Sequence, residues 1–179
     1  MKRPTVAELT LPVGERDHVR GDEDAPVTLV EYGDYECPYS GRVYSIVKEV
    51  QNEFGDDLRF VFRNFPLENM HPHARRAAEA AEEAGTQGNF WAMHDHLYEH
   101  QDALDDEHLI EYATEIGLNI DQFKQELAEH AHEERVQEDL LSGARSGVQG
   151  TPMFFIDGER YEDQWNAESL VTALRKRLK

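Results

Sequence analysis

The stretch VTLVEYGDYECPYS, residues 27–40, decides how the rest of the chain is read. Val27 to Tyr32 is β-branched and apolar, as a buried central strand requires. The residues GDYECPYSG break that pattern, and Arg42 to Phe54 turns helical, with Val43, Ile46, Val47 and Val50 at i, i+3, i+4 and i+7. Gly55-Asp56-Asp57 closes the helix, and Leu58 to Phe62 (LRFVF) is a second strand. Strand, helix of about four turns and strand make a βαβ unit, parallel and right-handed.

Outward from this unit the pattern changes on both sides. Residues 1–25 are polar, hold Pro4, Pro12, Gly14 and Gly21, and read as an arm or leader rather than a core element. After the second strand, some eighty residues (66–147) carry no strand signal. Ala74, Ala77, Ala78 and Ala81 mark a small-residue helix ending near Gly85, and Phe90, Met93 and Leu97 mark the next. Asp105 or Asp106 caps a third, closed by Gly117. Phe123 and Leu127 carry a fourth, and a longer helix from Glu133 frays at Gly143 to Gly150. Strand character returns at Met153 to Ile156, followed by the type I′ hairpin signal Asp157-Gly158 and a return strand at Glu159 to Tyr161. Asn166 caps a last helix bearing Leu170, Leu174 and Leu178. The expectation is an α/β fold of order βαβ…ββα, formed by residues 26–65 and 148–179, with an all-helical insertion at 66–147 and an arm at 1–25.

A chain of 179 residues with 18 Lys plus Arg and 37 Asp plus Glu carries a formal charge of −19. That excess argues against nucleic-acid binding, which needs clustered cations, and against docking on anionic lipid. No stretch approaches the roughly 18–20 apolar residues of a membrane span. The start, MKRPTVAELTLPVGERDH, lacks the apolar centre of a signal peptide, so the expected location is cytoplasmic. No Gly-rich phosphate loop is present, which argues against a nucleotide cofactor. Of the cations 13 are Arg and five are Lys; such a surface suits high salt, and equally an ordinary acidic protein.

The single cysteine, Cys37, excludes a disulfide within the chain and a cysteine-cage zinc site. It stands where the first strand feeds the first helix, followed by Pro38, which suits the first helical turn. Unsatisfied N–H groups and the dipole of a helix start favour a thiolate there. The competing reading is a small buried hydrophobe, the commoner role of a lone cysteine. Thr151-Pro152 at the third strand's entry is either a cis bond in a tight turn or a plain trans strand start. Nine histidines invite a metal reading, but only His96 and His100 have i, i+4 spacing, and no HExxH motif surrounds them. Exposed or capping histidines, and no metal, are expected. Tyr32, Tyr35, Phe65, Trp91 and Trp165 read as core or groove-lining residues.

Together these motifs resemble the DsbA family of thiol–disulfide oxidoreductases, a thioredoxin-like fold with a helical insertion. VTLVEYGDYECPYSG resembles that family's first strand and active site, and Gly150-Thr151-Pro152 with Met153-Phe154-Phe155-Ile156 resembles its cis-proline loop and third strand. RDHVRGDEDAP, FRNFPL and Met70-His71-Pro72-His73-Ala74 are similar to a cytosolic branch whose domains occur alone or fused to NhaA-type antiporters. The resemblance covers roughly residues 16–179. It implies that Cys37 is the attacking thiolate within the motif Cys37-Pro38-Tyr39-Ser40, and that Glu31 is a buried acid moving protons. It also implies that Thr151 and Pro152 align an extended peptide by backbone pairing. Asp34 and Glu36, flanking the motif, would oppose a thiolate and imply a milder oxidant than the periplasmic enzymes.

One departure matters. The family has a second cysteine where this chain has Ser40, and a hydroxyl does not carry thiol–disulfide exchange. The site is then either a native monothiol one or a dithiol site with cysteine replaced by serine. The resemblance therefore implies monothiol exchange on disulfide-containing or glutathionylated proteins and peptides. It further implies that no cofactor is bound tightly and that glutathione can serve as a co-substrate. Two rivals are a redox-silent module holding a peptide at the Pro152 edge, and a glutathione-transferase-like activity using Ser40. Unfolding measured against salt tests the charge reading: adaptation to salt requires stability to rise toward molar salt, and a stability unchanged or lower there refutes it.

Overall fold

The strand read as central is buried along its whole length, which is why its sequence runs apolar instead of alternating. The computed structural model describes residues 7–178. Its strands are β1 (His18–Gly21), β2 (Val27–Gly33), β3 (Leu58–Asn64), β4 (Met153–Ile156) and β5 (Glu159–Arg160). Its helices are α1 (Pro38–Phe54), α2 (Ala74–Thr86), α3 (Phe90–Glu99), α4 (Asp106–Glu115), α5 (Ile120–Ala128), α6 (Glu133–Arg145) and α7 (Ala167–Arg177). The sheet runs β1-β3-β2-β4-β5, with β2 and β3 parallel and every other pair antiparallel. This is the expected α/β thioredoxin-like fold, βαβ then ββα, with α2 to α6 inserted between the halves.

The pleat sorts β2 by parity. Leu29 joins Phe60, Phe62, Phe154 and Ile156 in the larger core, against α1, α7 and the insertion helices. Val30 and Tyr32 join Val61, Phe65 and Phe155 on the other face, where Leu9, Val13 and α6's Leu140 cover them. Glu31 shares the parity of Leu29, so a carboxyl is carried into the larger core. The hairpin reading holds: Asp157 (φ 49°) and Gly158 (φ 86°) are both left-handed, as a type I′ turn needs. Asp105 and Asn166 cap α4 and α7, accepting from the His108 and Ser169 amides. Among the described residues, no helix is long and apolar enough to cross a membrane.

Two expectations need correction. Residues 1–6 of the predicted arm lie outside the described residues, but residues 18–21 are not an arm: they are β1, an edge strand on β3. Its four residues, HVRG, are only half-buried and show no apolar alternation, so periodicity could not reveal it. The segment before it is clasped by buried Arg63, which donates to both Asp17 oxygens (2.8 and 3.0 Å), Tyr32 Oη (2.9 Å) and the Pro12 carbonyl (3.3 Å). Burial pushes the Asp17 carboxyl up, but the Arg63 fork outweighs it and holds the group below the usual carboxylate range. The second correction is to the apolar period, which starts only at Arg42: α1 itself begins at Pro38, as the fit of Pro38 to a first helical turn implies, with Cys37 as its N-cap.

Gly143 on α6 lets this helix lie on the sheet: a Cβ there would sit 2.7 Å from the Phe65 ring and 2.9 Å from that of Tyr32. Gly143→Ala is therefore expected to lower unfolding stability by about 1–3 kcal/mol. Gly14→Ala, at a position with nothing within 4 Å, should change it by less than about 0.5 kcal/mol. Urea unfolding of both variants checks the contrast, and equal losses would contradict the packing account.

Candidate active site

Where β2 leaves the sheet, Asp34-Tyr35-Glu36 turns the chain and Cys37 becomes the N-cap of α1, in extended conformation (φ −69°, ψ 124°). Pro38 follows at the first helical position, where a missing N–H leaves nothing unpaired. The Gly41 amide closes the first helical hydrogen bond on the Cys37 carbonyl (3.0 Å), leaving the Tyr39 and Ser40 amides without an intrahelical acceptor. The cysteine is only 3 % exposed, and its sulfur donates to the Thr151 carbonyl at 3.6 Å. The Thr151-Pro152 bond is cis. The start of α1, with Pro38, Tyr39 and Ser40, thus meets the Thr151-Pro152 loop through the cysteine sulfur. Tyr39 is 55 % exposed, its ring 6.4 Å from that of Trp165, which is 43 % exposed. These two aromatic faces stand open to solvent beside the buried cysteine.

Ser40 is fully buried, and its hydroxyl oxygen accepts from the Asp34 amide at 3.3 Å. Gln101, in the turn after α3, donates from one nitrogen to the Tyr35 and Cys37 carbonyls, both at 2.9 Å. Gly41 makes room for it, since a Cβ there would meet Gln101 Oε1 at 2.0 Å. The insertion therefore braces the start of α1 directly. No sequence pattern marked Gln101.

The flanking acids are not a bare negative collar. Asp34 is buried, and one oxygen accepts from the Glu36 (2.8 Å) and Cys37 (3.2 Å) amides. The other accepts from the Leu67 amide (2.9 Å) and from His71 Nδ1 (2.8 Å). Glu36 accepts from the His73 amide (3.0 Å) and from His73 Nδ1 (2.7 Å). His73 is exposed and stands at the N-cap of α2, in line with the expectation of exposed or capping histidines, whereas His71 is half-buried. His18, His96, His108, His130 and His132 each meet a carboxylate as well. His94 is different: buried among aromatic rings, with Tyr35 Oη 2.9 Å from its Nδ1, it is pushed by burial down to about 3 and stays neutral. His71 and His73 lie in the Met70–Ala74 block singled out by resemblance, but spacing gave them no role.

Glu31 is buried, and one of its oxygens has no hydrogen-bond partner among the described residues. Burial alone pushes its carboxyl up to about 8. The Tyr98 hydroxyl, also buried and unpartnered, is close by: a Cβ added to Gly33 would sit 2.6 Å from Glu31 Oε2 and 2.7 Å from Tyr98 Oη. Thr151 Oγ1 is a third unpartnered buried atom. As for metal ligands, His96 and His100 do not converge: His96 Nε2 meets Glu115 at 3.1 Å and His100 Nδ1 meets the His96 carbonyl at 2.8 Å. Glu83, Glu126 and His132 do come together, with the imidazole between the two carboxylates at 2.5 and 3.2 Å.

A cis-proline loop facing an N-capping cysteine, on this strand order, is one arrangement within a broader family. A family profile described as "Thioredoxin" matches residues 14–176. The chain belongs to the thioredoxin family. This thioredoxin-family chain is 47 % identical over 174 residues to Na(+)/H(+) antiporter NhaA 1 of Mycobacterium sp. (strain KMS), covering 96 % of itself and 28 % of the antiporter. It is 45 % identical to NhaA 1 of Salinispora arenicola (strain CNS-205), covering 94 % and 26 %. It thus spans less than a third of the length of these curated relatives. Among solved structures it is similar to oxidised BdbD from Bacillus subtilis, at TM-score 0.86, 26 % identity and 97 % and 99 % coverage. It shares its fold with alpha-DsbA1 from Wolbachia pipientis, at TM-score 0.78, 20 % identity and 96 % and 95 % coverage. The helical insertion within a thioredoxin-like fold is the architecture of these DsbA-type proteins.

The raised Glu31 group predicts a pH signature. The folded chain keeps this proton up to about pH 8, whereas the unfolded chain releases it near 4.5. Between those values the unfolded state binds fewer protons, so this residue removes stability as pH rises, by at most about 1.4 kcal/mol per pH unit. Glu31→Gln abolishes that loss. The stability of the variant relative to the parent should climb from pH 4.5 to 8 and then level. Denaturant unfolding at a series of pH values checks it, and a flat difference would mean that the buried carboxyl is ionised in the fold.

Proposed function

We propose that this chain is a thiol–disulfide exchange domain that works through Cys37 alone. The observation that carries the reading is the position of the sulfur: at the N-terminus of α1, against the Thr151 carbonyl of the cis-proline loop. Helix-start amides favour the thiolate, which is the nucleophile. The Cys37 thiolate attacks one sulfur of a substrate disulfide; the S–S bond breaks, a mixed disulfide forms on Cys37, and the second sulfur leaves as a thiolate that takes up a proton. Glu31, protonated near neutral pH and buried behind the motif, is the donor or acceptor for such protons.

Ser40 cannot resolve the mixed disulfide, so an external thiol such as glutathione attacks it and regenerates the Cys37 thiolate. A compartment rich in reduced glutathione would sustain that cycle. Substrates are disulfide-containing or glutathionylated proteins and peptides. The backbone at Thr151-Pro152 would pair with an extended substrate segment, and exposed Tyr39 and Trp165 would offer it apolar contact.

The near-complete burial of Cys37 favours a second reading, a redox-silent module that holds a peptide at the same edge. No observation favours a glutathione-transferase role for Ser40, whose hydroxyl is buried and bonded to the Asp34 amide. Intact-mass measurement after incubation with oxidised glutathione separates the readings. Exchange predicts one added glutathione within minutes at pH 7, removed by excess reduced glutathione and absent in Cys37→Ala. An unmodified wild-type chain would leave the binding module. Ser40→Cys should in turn confer insulin reduction with a dithiol regenerant, which the serine form lacks.

A further inference from the structure

We propose that His71 is a positioning residue for Cys37, acting through the Asp34 carboxylate. This rests on the exchange reading above and adds a residue to its machinery. Asp34 sits between the two: one oxygen holds the Glu36 and Cys37 amides, and the other holds the Leu67 amide and the His71 ring. The carboxylate is buried, so its charge is poorly screened where it is felt by the neighbouring sulfur. It also shares the Cys37 amide, which donates both to this carboxylate and to the Asp34 carbonyl (3.1 Å).

A buried carboxylate beside a nucleophilic thiol opposes ionisation of that thiol. The Nδ1–H of His71 is the side-chain donor on Asp34, and it draws the carboxylate's charge away from the sulfur and toward the loop after β3. His71 is partly exposed while Asp34 is not. The imidazole therefore closes the hub on its solvent side, and without it water would have to replace a fixed donor. The other titratable groups facing this region are Glu36, held by His73, and the buried pair Glu31 and Tyr98, whose hydroxyl feels the Asp34 charge. Arg75, the next cation along the chain, is engaged by Glu68 and Glu133. His71 is thus the group from outside the Asp34 turn that meets this carboxylate through a side chain.

The test is the rate at which Cys37 reacts with 4,4′-dithiodipyridine across pH 5 to 10, in full-length protein. His71→Ala should slow the reaction about tenfold at pH 7 and leave the alkaline plateau, where every thiol is ionised, unchanged. His71→Asn, which returns a donor near the same place, should recover the rate to within about threefold. In the His71→Ala, Asp34→Asn double variant the slowing should vanish, because the charge that His71 compensates is gone. Three results overturn the proposal: an alanine variant that matches the wild type at pH 7, one slowed equally at every pH, or an asparagine variant as slow as alanine. Should His71→Ala not fold, Asp34→Asn replaces it: its rate at pH 7 must rise, and a fall or no change overturns the proposal. A wild-type chain unreactive at all pH values sinks the exchange reading itself. A reactive wild type indifferent to residue 71 sinks this inference alone.

Discussion

A single buried carboxylate, Asp34, holds the start of α1, the loop after β3 and the entry to the helical insertion in one register. Taking a carboxylate out of water is tolerable only when its lone pairs are met by donors, and here four meet it from three places in the chain. Two come from its own turn and fix the extended N-cap conformation of Cys37. Two come from Leu67 and His71 and fix the loop that leads to α2. The Ser40 hydroxyl then bonds back to the Asp34 amide, and Gln101 pins the Tyr35 and Cys37 carbonyls from the far side. The sheet delivers the chain end to this point, but hydrogen bonds to one residue decide the attitude of the cysteine.

The same logic runs through the rest of this acidic chain. Nineteen excess negative charges would strain any compact state through self-repulsion, yet the buried acids are matched locally. Arg63 meets Asp17 inside the protein, and Glu82 accepts from His18 and Asn64. Although burial raises Glu82, these partners win and hold its carboxyl low. Histidine does much of this pairing because an imidazole can donate to a carboxylate whether or not it is charged. Glu31 is the exception among the acids around the candidate site: among the described residues nothing donates to its free oxygen, and it answers burial by keeping its proton.

How much of this could be read in advance follows the range of the interactions. β2, α1 and β3 were legible because burial of a strand and one face of a helix leaves a period in the sequence. The Asp157-Gly158 turn and the Asp105 and Asn166 caps were legible because each satisfies its own neighbours within three residues. β1 was not, since an edge strand half-open to solvent needs no apolar alternation. The partners of Asp34 and Glu36 were invisible for a different reason. His71 and His73 lie 37 residues from the acids they meet, and a polar contact at that separation leaves no periodic trace. Cys37, Ser40, Glu31 and Thr151-Pro152 were nameable as candidates through motif and family resemblance; Gln101, Tyr98 and His71, which pack around them, were not.

The buried serine sharpens what the site can do. In a dithiol site, residue 40 must be free to swing its sulfur toward the mixed disulfide. Here the side chain at 40 is an acceptor within the N-cap network, tied to the Asp34 amide and enclosed on all sides. Sulfur is larger than oxygen and a weaker acceptor, so a thiol in that position would loosen the same turn that aims Cys37. The serine therefore favours a rigid first helical turn over a second reactive group. Under the exchange proposal, a cysteine set this firmly would suit presenting a mixed disulfide to an incoming thiol, because the bond to be attacked would be held still beside the cis-proline loop.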